Sequence, residues 1–576
     1  MSPVTGVAET RRPADSPAQP PKIRRKRGEG QWALGYREPL NKNEESKKFD
    51  DGLHVRQRII DIYSKNGFDS IDPADLRGRF RWYGLYTQRR PGIDGGKTAV
   101  LEPEELDDRY FMLRIRIDGG QLTSGQLRVI ADISNKYARG TADVTDRQNV
   151  QLHWIQIEDV PAIWEALDEV GLDTTEACGD TPRVILGCPL AGVAADEVID
   201  ATPEIQAINE KYIGDEAFSN LPRKFKTSIS GCGVQCSHHE INDVAFAGVI
   251  HPETGEAGYD LWVGGGLSTN PMIAKRLGAF VQPGQVPEVW AAVASLFRDY
   301  GYRRLRHRAR IKFLIADWGP ERFREVLEKE YLGYRLPDGP APDAPEDSVR
   351  DHVGVHRQRD GRYYVGFAPK VGRLSGDALH VIAGLADKYG AGQLSTTNEQ
   401  KLVILDVPGD NTAALLDELE EAGLSATPSV FRRHTMACTG IEFCKLAIVE
   451  TKARAMSLID ELERRLPDFD TPVSINVNGC PNSCARIQTA DIGLKGSLIT
   501  DEDGQQVEGY QIHLGGALRG GDATGSGFGR KVRGLKTTAD DLPDYVERVL
   551  RRFTASREDG ETFSQWTLRA SDEELS

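Results

Sequence analysis

Four cysteines in the last third of the chain fall into two close pairs. Cys438 and Cys444 are separated by five residues in A-C-T-G-I-E-F-C-K-L, and Cys480 and Cys484 by three in N-G-C-P-N-S-C-A. Four thiolates held this way are what a cubane iron–sulfur cluster requires. Gly479 and Pro481 supply a turn that brings Cys480 and Cys484 to one side. A helical pattern after Cys444 runs to about Leu466, and its N-terminal dipole would face an anionic cluster. Two other readings fit the same residues. A structural zinc would take four such ligands, although its pairs more often have two-residue gaps, and buried cysteine is common as an inert core residue. The other four cysteines, Cys178, Cys188, Cys232 and Cys236, contain no pair with a five-residue gap and are expected not to be ligands.

A second group of residues could hold anions. Arg147 and Gln151 lie in T-D-R-Q-N-V-Q, and Arg308, Arg310 and Lys312 in R-R-L-R-H-R-A-R-I-K. Taken alone, the latter reads as a solvated basic helix face. Arg114 is on a predicted strand in F-M-L-R-I-R-I, and Arg183 lies in G-D-T-P-R-V-I-L-G. Lys224 and Lys226, in N-L-P-R-K-F-K-T-S-I-S, alternate onto one strand face. Singly, each of these four is most simply a surface or ion-paired residue. The runs Gly264–Gly266 and Gly515–Gly516 permit close backbone approach.

The elements that position these residues occur twice. Gln121 to Tyr137 (Q-L-T-S-G-Q-L-R-V-I-A, then N-K-Y) is echoed by Arg373 to Tyr389 (R-L-S-G-D-A-L-H-V-I-A, then D-K-Y). Thr145-Asp146-Arg147-Gln148 is answered by Thr397-Asn398-Glu399-Gln400. Each copy reads as a strand (Met112 to Ile117 in the first), an amphipathic helix from Leu127, a second strand (Val150 to Ile157) and a helix ending at Gly171 or Gly423. A second echo follows each unit, Gly231-Cys232-Gly233-Val234-Gln235-Cys236 against Gly479-Cys480-Pro481-Asn482-Ser483-Cys484. The fold class is therefore α+β, a duplicated two-part module joined by the proline-rich stretch from Leu336 to Pro345.

Bulk composition agrees with a soluble multidomain chain. The 576 residues are 39% hydrophobic and 28% charged, with no run of about 18 apolar residues that could span a membrane. A net charge of −15 argues against general nucleic-acid binding. Residues 1–30, rich in Pro, Ser, Ala and Arg, read as a disordered arm; Arg11-Arg12 and Arg24–Arg27 have no apolar segment behind them to make a secretory signal. A cytoplasmic location is expected, which disfavours disulfides and leaves the thiols for metal or catalysis.

The order of the four cysteines, with N-G-C-P-N-S-C-A as its most specific part, resembles the sirohaem-type nitrite and sulfite reductases, from about Gly30 to Trp566. The resemblance implies two ferredoxin-like units and two sirohaem/iron–sulfur-binding halves about a pseudo-twofold axis. The implied boundaries are an arm (1–45), a first ferredoxin-like half (46–170), a first reductase half (171–335), the linker (336–350), a second ferredoxin-like half (351–425) and the cluster-bearing half (426–576). It also implies a [4Fe–4S] cluster on Cys438, Cys444, Cys480 and Cys484, with Cys484 bridging to sirohaem. Arg147, Gln151, Arg308, Arg310 and Lys312 would contact that macrocycle, whose eight carboxylates call for cations. Arg114, Arg183, Lys224 and Lys226 would ring the substrate. Family members with two lysines at the last positions tend to reduce sulfite, and those with asparagine second tend to reduce nitrite. Lys226 thus points to six-electron reduction of sulfite to sulfide, with nitrite reduction to ammonia on the same scaffold as the alternative. A zinc-stabilised binding protein is a more distant reading. No nicotinamide or flavin fingerprint is found, so reduced ferredoxin is the expected donor and a monomer the expected state. Tyr83, Tyr86 and Cys178 could lie near the substrate pocket.

Overall fold

The computed structural model describes residues 29–39, 41–343, 351–501, 503–518, 527–532 and 534–576. The basic run Arg24–Arg27 and the last part of the linker, residues 344–350, lie outside them.

Both copies of the repeat fold alike. In the first, strand Gln121–Thr123 leads into helix Ser124–Tyr137, then strands Thr141–Val144 and Val150–Ile155 and helix Val160–Asp168. In the second, Arg373–Ser375 leads into helix Gly376–Tyr389, strands Gln393–Thr396 and Leu402–Val407, and helix Thr412–Glu421. Each long helix starts where a hydroxyl can cap it: Thr123 accepts from Gln126 N–H, and Ser375 from Ala378 N–H. Leu127, Ile130, Ala131 and Ser134 are buried along one helix, and Leu379, Ile382, Ala383 and Ala386 along the other, the spacing of a single apolar stripe. The short strand between positions 141 and 144 was not anticipated from sequence.

The strands before the helices do not stay with their own copy. Gln121–Thr123 pairs antiparallel with Gln393–Thr396 of the second copy, and Arg373–Ser375 with Thr141–Val144 of the first. Each five-stranded sheet is thus completed by its sister, and one apolar core runs through both. Gly120 and Gly372 make the exchange possible. Both have positive φ, and a Cβ at either would lie 2.4–2.5 Å from a carbonyl oxygen, Thr396 O for Gly120 and Val144 O for Gly372.

The other two sheets share one topology. Strands Pro182–Leu186, Phe225–Ser230 and Val244–Ile250 run parallel, followed by antiparallel Ala257–Val263 and Lys275–Val281. Thr435–Ala437, Ile475–Asn478, Ile492–Thr500, Gln506–Leu514 and Lys536–Thr538 repeat that order. Helices Val286–Tyr300 and Ile311–Val326 cover the first sheet, and Lys452–Arg465 and Leu542–Ser556 the second. Even rare backbone conformations recur: Gln148 and Gln400, Trp154 and Asp406, Gln235 and Ser483, and His238 and Arg486 all have φ between 51° and 66°.

Three expectations need correction. The helix after the Cys438 pair begins only at Lys452, so its N-terminus meets Cys438 rather than Cys444: Thr451 Oγ1 donates to Cys438 O at 2.6 Å. The basic stretch 303–312 is not one helix face. A 3₁₀ turn spans Arg306–Arg308, and Arg303 is buried against Glu44 (2.9 Å). The stretch read as an arm is packed from Glu29 onward, where Glu29 O accepts from Arg303 N–H at 2.7 Å and Asn41 donates to Arg303 O at 2.7 Å.

A cationic cavity facing four thiols

Cys438, Cys444, Cys480 and Cys484 come from two loops that leave the ends of adjacent parallel strands. Cys438 follows Thr435–Ala437 and donates its backbone N–H to Val477 O at 3.0 Å; Cys480 follows Ile475–Asn478. Gly479 N–H points at Cys438 Sγ (3.3 Å), and Asn478 Oδ1 accepts from Ala485 N–H at 2.9 Å, which closes the Cys480–Cys484 turn. Burial and the charge of Cys484 push the Cys438 thiol up to about 12 and raise Cys444 and Cys480 as well. The four sulfurs therefore share one site, in which thiolates cannot accumulate without a cation between them. Among the described residues no three of them lie within 4.8 Å of one another. That is too wide for one tetrahedral zinc, whose sulfurs sit about 3.8 Å apart for a 2.3 Å bond, and it suits a cluster of several irons.

Cys484 is the exposed member, and it opens onto cations of the first ferredoxin-like and first reductase halves. Its charge reaches both Lys226 and Arg114. Burial, together with Arg147 and Arg310, brings Lys226 down to about 7, against the pull of Asp146 and Cys484. Lys224 is driven well below the usual lysine range by burial and by Lys226, Arg223, Arg310 and Arg183. Arg147 falls to about 9, mainly through burial; its Nη atoms donate to Asn242 Oδ1 (3.0 Å) and Val184 O (2.9 Å), while its buried Nε has no partner. No hydrogen bond or ion pair holds either lysine ammonium among the described residues. With so many half-buried cations together, an entering anion would favour the charged form of both lysines.

Neighbouring side chains fix the ring. Gln151 Oε1 accepts from Arg114 Nε at 3.2 Å, and Gln151 Nε2 donates to Thr439 Oγ1 at 3.2 Å, which ties Arg114 to the loop after Cys438. Arg114 also donates to Cys178 Sγ at 2.6 Å, and Arg183 to Gly179 O at 2.9 Å. Arg310 makes a two-pronged pair with Asp243 at 2.8 and 2.7 Å. Lys312 donates to the carbonyls of Gly266, Leu267 and Asn270, so it props the glycine loop and would reach a ligand only through it. Arg308 is exposed and lies over Phe313. Tyr86 is raised by burial and by Cys178 and borders the cavity, whereas Tyr83 is buried in the ferredoxin-like core with its hydroxyl on Leu53 O (3.0 Å). Arg223 was missed from sequence; it belongs to the same charged patch, lowered to about 10 chiefly by burial. Its signal was present beside Lys224, but nothing local separates it from an ordinary surface arginine.

The donor set fits the two groups that the resemblance implied: spread thiols for a [4Fe–4S] cluster, and a cation-rich cavity with an orphaned arginine N–H for a polycarboxylate macrocycle. Comparison with known proteins decides the matter. The nitrite and sulphite reductase 4Fe-4S domain matches residues 178–336 and 431–569, and the nitrite/sulfite reductase ferredoxin-like half domain matches 104–170 and 356–422. The chain belongs to the nitrite and sulfite reductase family. It is 58% identical to the sulfite reductase [ferredoxin] 2 of Mycolicibacterium paratuberculosis, and equally to the sulfite reductase [ferredoxin] of Mycobacterium tuberculosis, over 95% of this chain and 98% of each relative. The assimilatory ferredoxin-dependent nitrite reductase of Haloferax mediterranei is 37% identical over 91% of both chains. The solved structure of the Mycobacterium tuberculosis NirA protein superposes with a TM-score of 0.93 at 57% identity, covering 96% of this chain and all of that one. Sirohaem and a [4Fe–4S] cluster are the cofactors of this family of reductases, and among the described residues no helix is long and apolar enough to cross a membrane.

Proposed function

We propose that this reductase converts sulfite to sulfide with electrons from reduced ferredoxin. The observation that carries this reading is the Lys224–Lys226 pair, two buried amino groups held by no hydrogen bond or ion pair among the described residues, with Lys226 within reach of the charge of Cys484. Sulfite near neutrality is partly a dianion and nitrite a monoanion, so a second lysine in a poorly solvated cavity favours sulfite. The greater identity to ferredoxin sulfite reductases, 58% against 37% for a nitrite reductase, supports it.

When bound, the cluster and sirohaem supply single electrons to the substrate sulfur. The net change is HSO3⁻ + 6 e⁻ + 6 H⁺ → HS⁻ + 3 H2O. The chain's share is charge and protons. Arg114, held by Gln151, and Arg183, held by Gly179 O, are aimed before substrate arrives and would neutralise its oxygens. Lys226, near 7 in the cavity, can hold a proton on Nζ and release it to a departing oxygen without a large energetic step. Arg147 and Arg310 would bind macrocycle carboxylates. Lys312 and Gln151 would act by positioning, and Cys484 would link cluster and macrocycle.

The face around the Cys444 loop would receive ferredoxin. Exposed Leu446 and Val100 flank it, and a recess of about 510 Å³ lined by Arg90, Trp154, Ile441 and Glu442 lies beside it. The deciding experiment is steady-state turnover with reduced ferredoxin, comparing kcat/KM for sulfite and nitrite. At least about a tenfold preference for sulfite is expected. Preference for nitrite would transfer the assignment to ammonia formation.

A further inference from the structure

Three of the four cysteines that sequence set aside as non-ligands converge. Cys188, Cys232 and Cys236 are all buried, and their three sulfurs lie within 4.8 Å of one another. Their positions are those of the cluster ligands in the other half. Cys232 and Cys236 correspond to Cys480 and Cys484 by the repeated turn. Sheet register supplies the third match. Thr227 faces Ile185 in the first half, and Ile475 faces Thr435 in the second, so Cys188 occupies the place of Cys438. Six residues on, where the second half has Cys444, the first has Ala194. The local hydrogen bonding is the same: Ala194 N–H donates to Leu190 O and Cys444 N–H to Gly440 O, both at 2.9 Å. Three of the four positions therefore keep a thiol.

The two sulfur sets differ in size. The cluster thiols are spread, whereas Cys232 and Cys236 have drawn in to 3.4 Å. Sulfurs around one tetrahedral ion with 2.3 Å bonds sit about 3.8 Å apart. The surroundings favour a thiolate at the centre: Ser230 Oγ lies 3.1 Å from Cys232 Sγ, and Cys236 N–H points at it from 3.4 Å. The His352 ring lies 6.4 Å from that of Tyr364, which packs in the same cluster as the three cysteines, and its Nε2 is buried without a hydrogen-bond partner, so a nitrogen donor stands near the trio.

We infer that Cys188, Cys232 and Cys236 form a second metal site that binds a single thiophilic ion, zinc(II) or copper(I), and not an iron–sulfur cluster. Soft thiolates select such ions, and binding displaces thiol protons to solvent. The site lies where the first reductase half meets the second ferredoxin-like half. Tyr364, Val403 and Leu405 pack in the same apolar cluster, and Arg359 N–H donates to Val193 O at 2.9 Å. The ion would pin the loops around Cys188 and Cys232 against that half, while iron chemistry stays with the other reductase half.

Elemental analysis of the purified holoenzyme should find about one zinc or copper per chain beside the iron. After removal with a chelator, zinc added in competition with a chromophoric chelator should bind in about one equivalent, with a sulfur shell near 2.3 Å in zinc-edge X-ray absorption. Cys232→Ser should lose that equivalent and keep its iron content and visible spectrum. Ala194→Cys, which restores a fourth thiol and leaves the native three in place, should tighten zinc binding about tenfold or more. A wild-type holoenzyme that holds neither metal and takes up no zinc would overturn the inference. So would mass-spectrometric detection of a Cys232–Cys236 disulfide as its resting state.

Discussion

At the scale of single residues, the cavity makes Lys226 the most informative side chain. Its pKa near 7 arises from burial among Arg147 and Arg310, and each carboxylate or oxyanion that enters raises it. In the cofactor-loaded enzyme the ammonium is then charged below a pKa somewhat above 7 and lost as pH rises through it. The kcat/KM profile for sulfite should therefore carry a falling alkaline limb. Lys226→Met should lower kcat/KM for sulfite by about a hundredfold, the usual effect of removing one charge-stabilising donor, with a smaller loss for nitrite. Lys226→Arg, which cannot deprotonate, should abolish the alkaline limb; a limb that survives in Lys226→Arg belongs to another group. As candidates, the cysteine pairs and both lysines stand out in sequence because their spacing is short and their chemistry specific. The exposed position of Arg308 was not legible, because the 3₁₀ turn at Arg306–Arg308 breaks the periodicity that the R-x-R-x-K spacing implied. The Cys188 trio was invisible for a different reason. Cys188 is 44 positions from Cys232, and only the register of two parallel strands brings them together.

At the scale of elements, the repeat was readable because each helix and its capping residue are local in sequence. The exchange of short strands was not. A three-residue strand has no periodicity that names its partner, and the partner lies roughly 270 residues away in the sister copy. Asp143, on strand Thr141–Val144, is the polar centre of the exchange. It is 2% exposed, takes a two-pronged pair from Arg373 of the exchanged strand (2.6 and 3.2 Å), and lies 3.3 Å from Lys452 Nζ and 3.4 Å from His153. Lys452 and Arg373, with His153, hold its carboxyl far below the ordinary range despite its burial. Removing one partner of a buried charge network typically costs about 3–5 kcal/mol. Asp143→Ala should therefore lower the denaturant midpoint of the holoenzyme by that equivalent and loosen both ferredoxin-like sheets together. A loss confined to about 0.5 kcal/mol, the range of ordinary surface changes, would show that the exchanged strands are held by backbone pairing and apolar packing alone.

At the scale of the whole molecule, duplication has been followed by division of labour. One reductase half keeps four spread thiols, the other shares the cations with the first ferredoxin-like half, and Cys484 faces toward Lys226 and Arg114. A chain with net charge −15 thus places its least compensated positive charge inside. The face where electrons would enter is different in kind. Around the Cys444 loop, Arg90 and Lys97 are interspersed with Asp94, Glu442 and Glu508, and Leu446 and Val100 are 61% and 70% exposed. A mixed rim around exposed apolar side chains predicts docking set by packing at the centre more than by long-range attraction. Leu446→Asp should accordingly raise KM for reduced ferredoxin by about tenfold, the loss of one well-packed anchor. The same variant driven by reduced methyl viologen, which needs no docking surface, should reduce sulfite at the wild-type rate. If both donors slow equally, the substitution has disturbed the Cys444 ligand rather than the docking face, and the entry point must be sought elsewhere on the cluster half.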